Sequence, residues 1–183
     1  MATWFITGCS TGIGRATAEA AAAAGHTVVA TARRTETLDE LVARFPDLVH
    51  VEPLDVTDDA SIAAAVDAAV HRVGEIDVLV NNAGIGYFAA IEESDPAEAQ
   101  RVMDVNFWGS AKVTTALLPH LRAQRNGHIF TISSIAGVRG SAGLGYYCAS
   151  KFAVSGFMEA LAAEVAHLDI TVTLVEPGPV RSE

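Results

Sequence analysis

Along this chain, short runs that are apolar at nearly every position alternate with longer, amphipathic and alanine-rich stretches. The short runs are rich in β-branched residues and predict strands at 3–7 (TWFIT), 26–32 (HTVVATA), 48–54 (LVHVEPL), 76–81 (IDVLVN), 127–133 (GHIFTIS) and 170–176 (ITVTLVE). The amphipathic stretches predict helices near 13–24, 36–44, 59–73, 96–124 and 146–167. Strands this uniformly apolar belong to a parallel sheet covered on both faces. Right-handed crossovers then make a doubly wound α/β sheet the expected architecture. No linker or internal repeat divides the sequence, so residues 1–183 read as one domain. Ligands of such sheets bind beyond the carboxyl ends of the strands. The chemistry is therefore expected just after residues 7, 32, 55, 81, 133 and 176.

Some boundaries carry their own signals. Asp95 stands where an N-cap belongs, with Pro96 at the first helical position and Glu98 three residues after the cap. Arg125-Asn126-Gly127 is expected to end the long helix, with Gly127 before the next strand.

Composition removes several function classes. Half of the 183 residues are hydrophobic and 19% are charged, which excludes a disordered or fibrous chain. A net charge of −10 argues against nucleic acid or an anionic membrane as partner. The N-terminus lacks the basic and apolar regions of a signal peptide, and no run is long and apolar enough to span a bilayer. The two cysteines, Cys9 and Cys148, form neither a CxxC pair nor a disulfide framework. The expectation is a reduced, soluble, cytoplasmic protein. Six scattered histidines show no metal-ligand spacing, so no metal is expected.

The first chemical signal follows the first strand. In GCSTGIGRATAEA, Gly8, Gly12 and Gly14 open a strong helix former, with Ser10, Thr11 and Ile13 between them. Glycines in a strand-to-helix turn permit positive φ and close approach of a ligand, and the new helix aims its free N–H groups at a pyrophosphate. Ser10 and Thr11 can add hydroxyl donors. The spacing is GxxxGxG, not the commoner GxGxxG. An ordinary glycine turn is the alternative reading.

Together, TGCSTGIG and the NNAG at 81–84 resemble the short-chain dehydrogenase/reductase family, in its compact, roughly single-domain branch. The resemblance runs from the first strand to the last residues and implies a Rossmann-type nucleotide fold. It implies that Asn82, Ala83 and Gly84 support the sheet beside the adenine-ribose half of a nicotinamide cofactor, a place that a simple polar turn would also suit. It points to Asp55 and Val56 of LDVTD as the adenine pocket, although Asp55 also suits a turn. At the end of the second strand, Ala32 stands where NAD-preferring members carry Asp, and Arg33 and Arg34 follow. Guanidinium groups pair with a 2′-phosphate that a carboxylate would repel. NADP(H) is therefore the expected cofactor and NAD(H) the alternative; a solvated basic pair is the plain reading of the arginines.

The second signal is GLGYYCASKF, at 143–152, where Lys151 is one of only two lysines. On a helix, positions four apart share a face, so Tyr147 meets Lys151 while Tyr146 is turned away to line the pocket or pack. A phenol titrates near 10, too high for easy proton exchange at neutral pH, and a nearby ammonium stabilises the phenolate. Tyr147 is the candidate acid. A carbonyl being reduced also needs a hydroxyl donor. The family's serine lies thirteen residues before its tyrosine, which selects Ser134 over Ser133. The resemblance further implies that Asn106 holds, through its backbone, a water that resupplies protons to Lys151. It also implies that Lys151 binds the nicotinamide ribose, and that Pro177, Gly178 and Ser182 flank the nicotinamide. Cys148 reads as a small helix residue, and Phe107 and Trp108 as core or interface.

The function so implied is an NADP(H)-dependent oxidoreductase interconverting a ketone or aldehyde and an alcohol, with bulky hydrophobic or steroid-like molecules as one substrate class. The alternative is a cofactor-binding, non-catalytic sensor or scaffold. A homodimer or homotetramer paired through helices 96–124 and 146–167 is implied by the resemblance. Relatives continue past the Pro-Gly segment with a helical lid and a final strand, so the chain reads as C-terminally incomplete. A polypeptide ending at Glu183 is expected to be less stable, with an exposed sheet edge and doubtful activity.

Overall fold

The computed structural model describes residues 1–180. Among them, six strands form one sheet: β1 (Thr3–Ile6), β2 (Thr27–Ala32), β3 (Val49–Pro53), β4 (Val78–Asn81), β5 (Gly127–Ile132) and β6 (Ile170–Val175). Every pairing is parallel, in the order β3-β2-β1-β4-β5-β6. The order reverses between β1 and β4, the crevice where doubly wound sheets bind ligands. The connecting helices are α1 (Gly12–Ala23), α2 (Asp39–Arg44), α3 (Asp59–Val73), α4 (Pro96–Met103), α5 (Ser110–Gln124) and α6 (Gly145–Val165). None of the helices among the described residues is long and apolar enough to cross a membrane.

Strand alternation divides the core in two. Phe5, Val29, Leu79 and Ile129 pack under Ile62 and Val66 of α3, Val113, Leu117 and Leu121 of α5, and Val154 and Met158 of α6. Their neighbours Ile6, Val28, Ala30 and Val80 face Ala18, Ala21 and Ala22 of α1, with Leu41 of α2 and the adjacent Leu38. Each fully buried Leu, Ile or Phe contributes about 1.5–3 kcal/mol over exposure. Along β5 the alternation is visible directly: Gly127, Ile129 and Thr131 are buried, whereas His128, Phe130 and Ile132 are half-buried.

Around α4 and α5 the structure departs from expectation. The predicted helix 96–124 is interrupted by a π-helical segment, Asp104–Gly109, between α4 and α5. At its end a Cβ on Gly109 would lie 2.7 Å from Val56 Cγ2, so glycine lets the helix pass this close. The left-handed residue ending α5 is Arg125, at φ 51°, not Gly127. Gly127 begins β5, as the predicted strand 127–133 has it, and an added Cβ there would press on Leu121 Cδ2 at 3.0 Å. Asp95 does cap α4, accepting from Ala97 N at 2.7 Å and Glu98 N at 3.4 Å. The Glu98 carboxylate does not return to the cap; it accepts from Arg101 Nε and Nη2. The Asp95 N–H instead donates to Tyr87 Oη at 2.9 Å.

Candidate active site

A cleft of about 540 Å³ runs along the carboxyl ends of the strands, open to solvent. One end is built from backbone. Gly8 and Gly12 have φ of 71° and 62°, conformations that favour glycine. They turn the chain from β1 into α1 so that Gly8, Ser10, Thr11, Gly12 and Ile13 line the cleft. Gly14 does not line it. An added Cβ there would lie 2.3 Å from Asn82 Nδ2 and 2.4 Å from Gly8 O, so Gly14 permits the loop to close on itself. Asn82 completes that closure: Nδ2 donates to Thr7 O (2.8 Å) and Gly8 O (3.0 Å). The Thr7 hydroxyl oxygen accepts from the N–H groups of Asn82 and Ala83, each at 2.9 Å. The sequence did not mark Thr7, because this stapling exists only once β1 and β4 are adjacent.

The N-terminus of α1 lacks the side-chain cap that α3 and α4 have. Asp58 and Asp95 cap α3 and α4 with their carboxylates. Thr11, at the cap of α1, makes no side-chain cap hydrogen bond, and no acidic residue sits in the first turn. Its first-turn N–H groups and the positive end of its dipole therefore open into the cleft, a donor set suited to a pyrophosphate. These residues fit a dinucleotide cofactor.

Along this end, Arg33, Asp55, Val56, Ala83 and Gly84 also line the cleft. The Asp55 carboxylate accepts from Thr57 Oγ1 at 2.7 Å and Thr57 N at 2.9 Å. These bonds, with a further contribution from the Arg33 charge, hold its carboxyl below the usual range. Arg34 departs from the sequence reading: it lies off the cleft wall, with Nε 3.9 Å from Glu36. Arg101 of α4, which the sequence did not single out, reaches the rim.

The other end is built from side chains. Tyr147 and Lys151 occupy successive turns of α6, with Nζ 5.9 Å from the centre of the phenol ring. Tyr146 is turned away as its helical position requires; it does not line the cleft and is 36% exposed. Lys151 is buried, and its Nζ donates to Ile132 O at 2.8 Å. Burial pushes its pKa down to about 8. Ser134, half-buried at the end of β5, accepts from Ala136 N at 3.1 Å, which leaves its O–H free to donate. Ser133, which also lines the cleft, is buried and bonds Ser155 Oγ at 3.1 Å. Pro177 and Gly178 form the outer wall. Ser182 lies outside the described residues.

Asn106 does not line the cleft. It is 1% exposed within the π segment, and its amide is fully engaged behind the loop after β4. Cys9, in the glycine loop, is fully buried and its thiol is pushed up to about 12, mainly by burial, which makes it inert. No group of three or more His, Cys, Asp or Glu side chains among the described residues could hold a metal ion.

Comparison with known proteins agrees with this fold. The family described as short chain dehydrogenase matches residues 2–183. Oxidoreductase BOA17 of Botryotinia fuckeliana (strain B05.10) is 44% identical over 181 residues, covering 98% of this chain and 66% of that protein. The 3-ketodihydrosphingosine reductase of Bacteroides thetaiotaomicron is 42% identical over 94% of this chain and 62% of that protein. Retinol dehydrogenase 8 of Homo sapiens is 40% identical over 99% of this chain and 60% of that protein. The chain thus spans 60–66% of the length of these three curated relatives. A solved short-chain dehydrogenase from Streptomyces avermitilis superposes with a TM-score of 0.97 at 45% identity, covering 99% of this chain and 68% of that one. A metagenomic short-chain oxidoreductase in complex with NADP gives 0.92 at 34% identity, covering 98% and 83%. A short-chain dehydrogenase/reductase from Burkholderia phymatum in complex with NAD gives 0.94 at 29% identity, covering 99% and 66%.

Proposed function

Because the chain belongs to the short-chain dehydrogenase family, we propose that it interconverts a ketone or aldehyde and the corresponding alcohol with a nicotinamide cofactor. The observation that carries this reading is the convergence of Tyr147, the buried Lys151 and the free Ser134 hydroxyl at one end of a cleft whose other end is an uncapped helix N-terminus. When bound, the nicotinamide supplies or accepts hydride. Gly8, Ser10, Thr11, Gly12 and Ile13 hold the pyrophosphate, and Asp55, Val56, Asn82, Ala83 and Gly84 hold the adenosine half. Pro177 and Gly178 flank the nicotinamide. In the direction of reduction, Ser134 donates to the substrate oxygen and Tyr147 gives it a proton. Lys151 donates one N–H hydrogen bond to Ile132 O and keeps two further N–H groups for the nicotinamide ribose and the phenol. With its pKa lowered to about 8, Lys151 can also return a proton near neutral pH.

NADP(H) is the preferred cofactor in this reading, with NAD(H) accepted more weakly. Arg33 at the end of β2 supports it, as Ala32 offers no carboxylate to a ribose hydroxyl. Bulky hydrophobic alcohols and ketones are the substrate class, supported by the exposed Phe88, Ile91 and Val138 and by relatives named for retinol and 3-ketodihydrosphingosine. Trp108 and Phe152, each nearly half exposed, support pairing of two or four copies through the central helices. The free cysteines suit a cytoplasmic location. Fluorescence titration with NADPH and NADH, followed by turnover on a panel of carbonyls, tests the reading. Binding of NADPH at least about tenfold tighter than NADH supports it; no binding of either dinucleotide removes it.

A further inference from the structure

Ser150 lies between Tyr147 and Lys151 on α6 and is fully buried. A serine inside a helix commonly bonds back to its own turn, and this one does: Oγ donates to Tyr147 O at 2.7 Å. It also accepts a second bond from another element, Asn106 Nδ2, at 3.1 Å. The same Nδ2 donates to Ile85 O at 3.0 Å, while Asn106 Oδ1 accepts from Ile85 N at 2.8 Å. Both amide hydrogens and the carbonyl of Asn106 are thereby used. The contact also closes on the cleft floor: a Cβ on Gly84 would lie 3.4 Å from Asn106 Oδ1 and 3.7 Å from Lys151 Nζ. On the far side of Lys151, Ser155 bonds Ser133 of the β5 end at 3.1 Å, so α6 is tied on both sides of the lysine.

We infer that Ser150 is a positioning residue: its hydroxyl joins the loop at Ile85, through Asn106, to the turn of α6 that carries Tyr147 and Lys151. The side chain of Asn106 then serves as a strut between cofactor floor and reactive helix, a role separate from any water held by its backbone. Inside a low-dielectric site such a chain of bonds is lost as a unit, since the freed polar atoms find no water. The inference rests on the proposed activity for its kinetic readout alone.

Hydrogen exchange at the Ile85 amide, whose N–H donates to Asn106, reads the strut directly. A serine that merely stabilises its own helical turn leaves that amide unaffected; in Ser150→Ala the strut makes it exchange about tenfold faster, and in Ser150→Cys less so. In kinetics, Ser150→Ala lowers kcat about tenfold with the cofactor dissociation constant within about twofold, and adds little to Asn106→Ala. Unchanged Ile85 exchange in both Ser150 variants overturns the inference, as do effects of Ser150→Ala and Asn106→Ala on kcat that simply add. If Ser150→Ala does not fold, Ser150→Cys against wild type decides. Absence of turnover on every carbonyl removes the proposed activity, and the exchange measurement still decides the strut.

Discussion

The two ends of the cleft are made of different material. The end under α1 is backbone and small residues: Gly8, Gly12 and Gly14 close a loop that Asn82 and Thr7 staple to β4. The end on α6 rests on polar side chains inside the protein: Lys151 and Ser133 line it, Ser150 and Asn106 lie behind it, and all four are buried. The first end presents donors outward and tolerates solvent. The second depends on each buried polar group finding its partner, because an unpaired one costs about 1–3 kcal/mol. In the proposed reading, binding rests on open N–H groups and reactivity on a closed network.

If the division is sound, substitutions should separate binding from turnover. Tyr147→Phe tests it most severely. Its kcat should fall about a thousandfold while NADPH affinity stays within about twofold, measured by steady-state kinetics beside fluorescence titration. Undiminished turnover would falsify the assignment of the acid.

Gly14→Ala attacks the other end. Its Cβ would meet Gly8 O at 2.4 Å and Asn82 Nδ2 at 2.3 Å, so the loop must shift. NADPH affinity should drop by up to about a hundredfold, the equivalent of overpacking by a few kcal/mol. Wild-type affinity in calorimetric titration would mean that the loop is not the binding end.

The buried lysine gives a pH signature. Its folded value of about 8 lies below the 10.5 of a free lysine, so folding disfavours the ammonium. That cost, about 3 kcal/mol, is fully present below pH 8 and is relieved as pH rises through 10.5, where the unfolded chain also loses its proton. Urea unfolding should therefore show wild type gaining stability relative to Lys151→Met across that window. A constant difference would place the lysine in solvent.

The smallest effects lie at the β2 end. Arg33→Ala should weaken NADPH binding about tenfold and leave NADH within about twofold. Arg34→Ala should change either affinity by less than about twofold, since its side chain lies toward Glu36 off the cleft wall. Equal losses from both arginines would mean that they act as one basic patch.

Much of this was legible in the chain because the signals were local. The Asp95 cap needed only its own next three residues. The orientation of Tyr147 rather than Tyr146 followed from helical period alone. Where the reading missed, a longer-range contact had intervened. Glu98 found Arg101 instead of its cap, because Tyr87 from the preceding loop already occupied the Asp95 N–H. Gly127 is required by Leu121 rather than by a turn.

By itself the sequence determined the alternation of strands and helices, the parallel sheet and the glycine turn, because period, β-branching and backbone freedom act within a few residues. Only the tertiary structure decided that Arg33 and not Arg34 reaches the cleft, that Thr7 staples β1 to β4, and that Asn106 spends its side chain on Ile85 and Ser150. Those contacts join residues far apart in the chain. A polar side chain can satisfy its hydrogen bonds in many ways, and burial selects one only after the core has closed.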